Sequence, residues 1–301
     1  MAAVHELDYS PNGIARSMAS RRTMTLALVV SDVTNPFFTS VARGVEDVAR
    51  GAGYGVLLCN TDEDLAVEKQ YLDLLRQRRV EGILLVPAGD RPDHIQATEK
   101  SGVKVVLLDR HIPSFSVPSV EVDNVGAMRM ATEHLVGLGH REIALIAGRP
   151  DLTNSRERVE GYTAALGGHG VPLRPGLILN GRFSEEGGHE CGLQIAQMSP
   201  RPTAVISCNN VMTTGLLLAL REASLMVPGD ISVISFDDLP YFSLLDHPLT
   251  AILQPMYELG QAACRLLLDL LSSPSKEPAE MKIRLPTRLV LRDSCLPMSN
   301  P

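Results

Sequence analysis

The sequence has 301 residues, of which 45% are hydrophobic and 21% charged, and its formal net charge is −7. This composition is typical of a soluble globular protein with two domains or one large α/β unit. No apolar run approaches the roughly 18–20 residues of a membrane span, and the N-terminus lacks the apolar core of about 7–15 residues of a secretory signal. We therefore expect a cytoplasmic protein that makes no membrane contact.

The first distinctive segment, residues 10–23, reads SPNGIARSMASRRT. It contains three arginines and no acidic residue, although the whole chain is acidic. Ser10-Pro11-Asn12 is a helix-start signal, but the segment has no apolar face wide enough to dock on a core. Any contact with nucleic acid is therefore expected to be local and confined to this segment.

Short apolar runs then alternate with helical patterns along the chain. The runs do not alternate between apolar and polar residues, which indicates strands buried on both faces of a parallel sheet. The alternation restarts near residue 141, so we predict two doubly wound α/β lobes. The predicted strands are 26–30, 55–59, 82–86, 103–109, 119–123, 141–148, 177–179, 204–208, 231–238 and 249–253. The predicted helices are 36–52, 63–79, 92–101, a helix ending near 140, 154–168, 185–198, 210–224 and 257–271.

Polar residues follow predicted strands in both lobes. They are Asp32 and Asn35, Asp109 and Arg110, Asp123 and Asn124, Asn209 and Asn210, and Asp237 and Asp238. Ligands of open α/β sheets bind beyond the carboxyl ends of the strands. Residues of these types also cap helices, so a single pair leaves both interpretations open. Their recurrence in both lobes predicts one central cleft lined by polar side chains.

Arg158 and Asp237 are the strongest candidates for contacts in this cleft. Arg158 lies in the first turns of a predicted helix, where a cation is disfavoured by the helix dipole unless its guanidinium binds a carboxylate or hydroxyls. The alternative is a surface salt bridge with Glu157 or Glu160. Asp237 and Asp238 are neighbours on a strand and point to opposite faces, so one carboxylate is expected to face a ligand and the other to cap or pair.

The sequence contains no catalytic or cofactor motif that we can identify. Nucleophile-elbow, P-loop, HExxH and GxGxxG patterns are missing. We therefore predict that the protein is not an enzyme and needs no cofactor. The five cysteines are dispersed without metal-type spacing, and we expect them to be reduced thiols. His134 and His140 lie six residues apart across a helix end, which is not a ligand spacing, so no metal is predicted.

Several segments together resemble the lactose-repressor-type (LacI/GalR) transcription regulators. They include DYSPNGIARSMASRRTMTLALVVSDVTNPFF at the start of the chain, and VVLLDR, RERVEGYTAAL, ISVISFDDLPYF and LTAILQP later on. The resemblance covers almost the whole chain in order. It implies a periplasmic-binding-protein-like fold of two lobes around a central cleft, preceded by a short hinge-helix segment.

The resemblance also implies the domains and a DNA contact. Residues 1–23 would be the hinge helix and a remnant of the DNA-binding headpiece. The nine residues before Ser10 are too few to form most of the helix-turn-helix of that headpiece. Residues 24–138 plus about 255–282 would form the N-terminal lobe, and 139–254 plus about 283–296 the C-terminal lobe. Ala15 and Met18 would enter the minor groove of operator DNA, with Met18 as a wedge, and Arg16 would contact phosphates.

Family positions that line the effector cleft match seven residues here: Phe37, Arg110, Arg158, Phe183, Asn209, Asp237 and Gln254. The resemblance implies a homodimer whose lobes close on a small-molecule effector, most simply a sugar or sugar derivative. A purine or an amino-acid-like effector stays open, because Arg158 with Asp237 suits either. A periplasmic-type solute-binding protein is the alternative function, although such a protein would not carry the segment SPNGIARSM.

Overall fold

The computed structural model describes residues 23–273 and 282–298. The strands are β1 (Thr25–Val30), β2 (Gly55–Asn60), β3 (Gly82–Leu85), β4 (Lys104–Leu108), β5 (Ser119–Val122), β6 (Ile143–Ala147), β7 (Ile178–Asn180), β8 (Ala204–Ser207), β9 (Ser232–Phe236), β10 (Thr250–Leu253), β11 (Lys282–Leu285) and β12 (Arg288–Val290). The helices are α1 (Pro36–Gly51), α2 (Leu65–Gln77), α3 (Asp93–Lys100), α4 (Asn124–Gly137), α5 (Thr153–Gly168), α6 (Glu185–Gln197), α7 (Asn210–Glu222) and α8 (Met256–Ser272).

Two six-stranded sheets organise the molecule. The first has the order β11-β5-β4-β3-β1-β2 and is parallel throughout. The second has the order β12-β10-β9-β8-β6-β7 and is parallel except for β12, which runs antiparallel to β10. Helices cover both sheets, as the uninterrupted apolar character of the strands requires. The predicted fold class, two doubly wound α/β lobes, is confirmed.

Local sequence explains where the helices begin. Asn35 caps α1 by accepting a hydrogen bond from the Phe37 amide at 2.9 Å, and Pro36 occupies the first helical position. Asp64 caps α2 and Ser184 caps α6 in the same way. Because these caps follow strand ends, they place polar side chains at the sheet edge where the two lobes meet.

The chain crosses between the lobes three times, and two crossings differ from the predicted boundaries. Helix α4 was assigned to the N-terminal lobe, but its apolar residues, among them Ala127, Met128 and Leu135, pack in the core of the C-terminal lobe. Strand β11, mostly assigned to the C-terminal lobe, pairs with β5 in the first sheet. The crossings therefore lie at Asp123, between Leu253 and Met256, and at Pro286–Thr287.

Among the described residues, the structure has no helix that is both long and apolar enough to cross a membrane.

Candidate functional site

A cavity of about 400 Å³ lies between the two lobes. Its walls come from the carboxyl ends of strands in both sheets and from the helix starts that follow them. The seven residues predicted to face an effector all line it: Phe37, Arg110, Arg158, Phe183, Asn209, Asp237 and Gln254. Ligand pockets for small molecules typically measure roughly 300–1,000 Å³, so the cavity is large enough for one.

Arg158 is buried, with 3% of its surface exposed, and its guanidinium is held on two edges. Nε–H donates to Asn124 Oδ1 at 2.9 Å, and Nη1 donates to the Cys208 carbonyl at 2.5 Å. The guanidinium carbon lies 3.7 Å from the centre of the Phe236 ring, in cation–π geometry. The alternative of a surface salt bridge with Glu157 or Glu160 is therefore wrong, because the Arg158 guanidinium is buried against Asn124, the Cys208 carbonyl and Phe236. Glu157 pairs with Arg284 instead.

Asp237 faces the cavity from the end of β9, in the left-handed backbone region at φ +77°. Its Oδ1 accepts from Gln254 Nε2 at 2.5 Å and its Oδ2 from the Asn210 amide at 3.3 Å. Burial raises the pKa of Asp237, although the positive charge of Arg158 opposes this shift. Asp238 lies outside the cavity lining and forms a two-pronged ion pair with Arg292 at 2.7 and 2.8 Å. The two neighbouring carboxylates thus have the separate environments that the sequence predicted.

Gln254 carries the one unpaired buried atom of this site. Its Nε2 is used by Asp237, and its Oε1 is the only buried side-chain nitrogen or oxygen without a partner among the residues that the structure describes. An unpaired buried acceptor is destabilising by about 1–3 kcal/mol. A hydroxyl of a bound molecule is a group that would satisfy it.

Asp109 and Arg110 form the opposite wall. The Arg110 guanidinium binds both carboxylate oxygens of Glu63, at 2.8 and 2.9 Å. Asp109 Oδ2 accepts from Asn154 Nδ2 at 2.8 Å, and the backbone of Asp109 is left-handed at φ +69°. Burial raises the pKa of Asp109, while the nearby charges of Arg110 and Arg158 act against it.

Aromatic rings supply the apolar surface. Phe37 and Phe38 pack edge to face with centroids 4.9 Å apart, and both line the cavity while remaining in the first-lobe core. Phe183 enters from the second lobe in a left-handed conformation. Its ring occupies the space beside Gly148, where a Cβ atom would lie 2.1–2.5 Å from the ring carbons. Glycine at 148 is thus what admits this ring.

Several polar pairs join the lobes near the cavity, among them three hydrogen-bonded pairs. Asn210 Nδ2 donates to Asn35 Oδ1 at 2.8 Å, and Asn154 bonds Asp109 as described. Arg149 Nη1 donates to the Glu63 carbonyl at 2.9 Å. The two lobes therefore meet through polar side chains at this edge of the cavity.

The cavity is also lined by Glu63, Asn154 and Ser31, which no sequence pattern predicted to face a ligand. Asn154 begins the helix that the sequence predicts after β6, but in the structure it is the second residue of α5, which has no side-chain cap. Glu63 carries no such signal, because its role depends on the distant Arg110. Ser31 lies in the first turn after β1 and contacts Arg110 only at 3.4 Å.

One further group has metal-ligand atoms close together. His111, Glu121 and Glu157 place a ring nitrogen and two carboxylate oxygens within 4.8 Å of one another. Lys282 Nζ lies 3.4 Å from Glu121, and Arg284 Nη2 lies 2.8 Å from Glu157. These two cations already neutralise both carboxylates, so this chemistry favours an ion-pair cluster over a bound metal ion.

The comparisons with known proteins agree with this architecture. A family profile described as a periplasmic binding protein-like domain matches residues 132–295. The HTH-type transcriptional repressor PurR of Photobacterium profundum is 33% identical over 298 residues, which cover 98% of this chain and 88% of that protein. The ribose operon repressor of Escherichia coli is 34% identical over 283 residues, covering 94% and 86%. The chain belongs to the LacI family of transcription regulators.

A solved LacI-family structure shows how close the fold is. The regulator from Enterococcus faecium with bound ribose is 31% identical and superposes with a TM-score of 0.82 over 91% of this chain and all of that one. The LacI-family hinge positions predicted here, Ala15, Arg16 and Met18, lie outside the described residues. The relatives named above are transcription regulators and not transport proteins, so the comparisons do not favour the solute-binding alternative.

Proposed function

We propose that this chain is the effector-binding core of a LacI-family regulator that binds a neutral monosaccharide, with ribose as the leading candidate. The protein acts as a homodimer and couples sugar binding to operator DNA. The observation that carries the proposal is the cavity between the lobes, in which hydrogen-bonding side chains of both lobes surround one aromatic-walled space.

The cavity combines the groups that a sugar needs. Each hydroxyl of a sugar both donates and accepts, and here Asp237 and Gln254 Oε1 accept while Arg158 Nη2 and Asn209 Nδ2 donate. The Asn209 Oδ1 atom is already used to cap α7 through the Met212 amide at 2.8 Å. The Phe37 ring offers a flat apolar surface for the C–H face of a sugar ring.

The charges of the cavity favour a neutral molecule over an anionic one. Its lining includes six carboxylate residues but only three arginines. Arg110 is paired with Glu63, and Arg182 with Glu190 at 2.7 Å. Arg158 has an uncommitted nitrogen, Nη2, but its charge lies close to Asp237. A phosphate group would therefore meet six carboxylate residues with little net positive charge to offset them.

The positions of the ligand-binding groups explain why the two lobes would close on a bound sugar. Phe37 and Arg110 belong to the first lobe, whereas Arg158 and Asp237 belong to the second. A sugar that contacts both sets favours the arrangement in which the lobes are together, in proportion to its difference in affinity for the two states. Because the coupling is reciprocal, operator DNA held through Ala15, Arg16 and Met18 changes the affinity for the sugar by the same factor.

The dimer is supported by an unpaired apolar edge. Strand β2 is the outer strand of the first sheet, and its Leu57 and Leu58 are 43% and 54% exposed. Beside it lies an apolar groove of about 550 Å³, lined by Leu58, Val56 and residues of α1. A twofold axis brings the same strand of a second copy opposite this edge, which covers an otherwise aggregation-prone surface.

A thermal-shift screen tests the function. The panel contains D-ribose, other pentoses and hexoses, ribose 5-phosphate, purine bases and amino acids. A neutral sugar at 100 times its Kd stabilises the protein by about 2.7 kcal/mol, a rise of a few degrees in Tm. A shift only with purines or only with the phosphorylated sugar would contradict the proposed class of effector.

A further inference from the structure

A line of hydrogen bonds runs from strand β11 at the lobe crossing to Arg158 in the cavity. We propose that Arg284, Glu157 and Asn124 are positioning residues that hold the Arg158 guanidinium in its ligand-binding orientation. This inference rests on the proposed function, since it assigns these residues to the arginine that faces the sugar. None of the three residues lines the cavity itself.

The contacts are short and continuous. Arg158 Nε–H donates to Asn124 Oδ1 at 2.9 Å, and Asn124 Nδ2 donates to Glu157 Oε2 at 3.0 Å. Arg284 Nη2 donates to the other oxygen, Glu157 Oε1, at 2.8 Å. Asn124 is 1% exposed and Arg158 3% exposed, so water does not compete freely for the bond between them. The Arg284 side chain is 44% exposed, so its ion pair with Glu157 is partly solvated.

The hydrogen-bond donors on either side of residue 157 determine which side chain fits at that position. Asn124 must turn its oxygen towards Arg158, which leaves its NH₂ group facing residue 157. Arg284 also presents a donor to that residue. Only a side chain that accepts on both ends satisfies the two neighbours, and a carboxylate does so whereas an amide does not.

The same line joins two lobe crossings to the ligand arginine. Asn124 directly follows the crossing at Asp123, and Arg284 lies two residues before the crossing at Pro286. Glu157 and Arg158 are neighbours on α5 of the second lobe, so the Arg284–Glu157 pair bridges the lobes. A change at these crossings therefore reaches the Nε edge of Arg158, while the Cys208 carbonyl and Phe236 hold the remainder of the group.

The isosteric variant Glu157→Gln tests this arrangement. It keeps the volume of the side chain but places a donor against either Asn124 or Arg284. We expect D-ribose affinity by calorimetry to fall about tenfold, the equivalent of one hydrogen bond to a charged group. Arg284→Ala should give a similar loss, and Arg284→Lys should restore part of it. The ratio between the affinities for D-ribose and for its epimers should also become smaller in Glu157→Gln and Arg284→Ala.

A second measurement needs no ligand. In ¹⁵N-labelled protein the Arg158 Nε–H should exchange slowly with water in the wild type and faster in Glu157→Gln and Arg284→Ala. Glu133→Gln is the matched control, because it removes an exposed carboxylate that pairs with Arg129 on the neighbouring helix α4. The control should change neither the exchange rate nor the affinity.

The outcomes separate this inference from the proposed function. Unchanged exchange of the Arg158 Nε–H, or unchanged D-ribose affinity in both weakened variants, overturns the positioning role. Faster exchange in a protein that binds no sugar supports the positioning of Arg158 and removes the proposed function. Faster exchange together with the tenfold loss supports both.

Discussion

Asp237 is a buried carboxyl group, and burial raises its pKa above the ordinary aspartate value. Below the ordinary aspartate pKa, Asp237 is protonated in both the folded and the unfolded chain. Its contribution to the free energy of unfolding is then most favourable. As the pH rises towards the raised pKa, the unfolded chain ionises first, so stability is lost. The buried Asp237 carboxyl group therefore contributes less stability above its raised pKa than below it, and we attribute its presence in the cavity to ligand binding.

Replacing this carboxylate should separate stability from binding. Asp237→Asn keeps the shape, and asparagine tolerates the left-handed backbone at φ +77°. The Gln254 amide can turn so that its unpaired Oε1 accepts from the new NH₂ group. We expect a higher Tm without ligand and D-ribose binding weakened at least tenfold, since hydrogen bonds to charged groups contribute about 1.5–3 kcal/mol. Differential scanning calorimetry and titration calorimetry at pH 7 measure the two effects. A variant that is less stable and binds normally would contradict the assignment.

The affinity for the sugar should also depend on pH in the acidic range. Burial raises the pKa of both Asp109 and Asp237, so they take up protons at a pH where exposed aspartates are still charged. Each protonation removes acceptor oxygens from the cavity. D-ribose affinity should therefore decrease as the pH falls from 7.5 to the ordinary aspartate pKa, and less steeply in Asp237→Asn. An affinity that stays constant down to that pH would contradict the role of both carboxylates as acceptors for the ligand.

At this scale the sequence located the residues that follow a strand but not their partners. The sequence could predict Arg158, Asp237 and Asn209 as cleft residues, because strand ends and helix starts mark the edge of the cleft. The sequence could not predict the ion pair between Arg110 and Glu63, since those residues lie 47 positions apart on different loops. Nor did the sequence show that Asn124 holds Arg158, because that contact depends on the packing of α4 beside α5.

At the scale of elements, helices α1 and α8 approach so closely that their backbones touch. A Cβ atom on Gly44 would lie 2.1 Å from the Tyr257 carbonyl, and one on Gly260 would lie 2.1 Å from the Val41 carbonyl. Both neighbours are backbone atoms, which cannot rotate away as a side chain can. These two glycines therefore set the distance between the helices that cover one face of the first sheet.

Gly44→Ala should push these helices apart. We expect a loss of about 1–3 kcal/mol in the free energy of unfolding, the usual range for overpacking a core. Gly51→Ala is the control in the same helix, because no atom lies within 4 Å of its would-be Cβ. That change should be neutral or stabilising by up to about 1 kcal/mol. Equal urea midpoints for the two variants would contradict the close contact.

Periodicity predicted the strands and helices well but did not predict which lobe two of them join. The apolar runs and the breakers between them mark α4 and the following strand clearly. Helix α4 follows a first-lobe strand, yet its apolar residues pack in the second core. Strand β11 is short and half-exposed, and only its pairing with β5 places it in the first sheet. Such choices depend on contacts between elements and leave no local pattern.

At the scale of the whole molecule, the exposed edge at β2 makes assembly testable. Leu58→Asp places a charge in the apolar groove and should convert the dimer to a monomer in sedimentation velocity. Leu173→Asp is the matched control, because that leucine is 42% exposed on a loop and lines none of the described cavities. A wild-type protein that sediments as a monomer, or a dimer that survives Leu58→Asp, would place the interface elsewhere or remove it.

The central claim is that a neutral sugar binds between the lobes through Arg158 and Asp237. Titration calorimetry of the wild type, Arg158→Ala and Arg156→Ala with D-ribose tests it most directly. Arg156 lies on the same helix but is exposed and donates only to the Pro150 and Asp151 carbonyls, so it serves as the control. The account predicts binding to the wild type and Arg156→Ala, little or none to Arg158→Ala, and none of ribose 5-phosphate to any of them. Equal D-ribose affinity in all three proteins would contradict it.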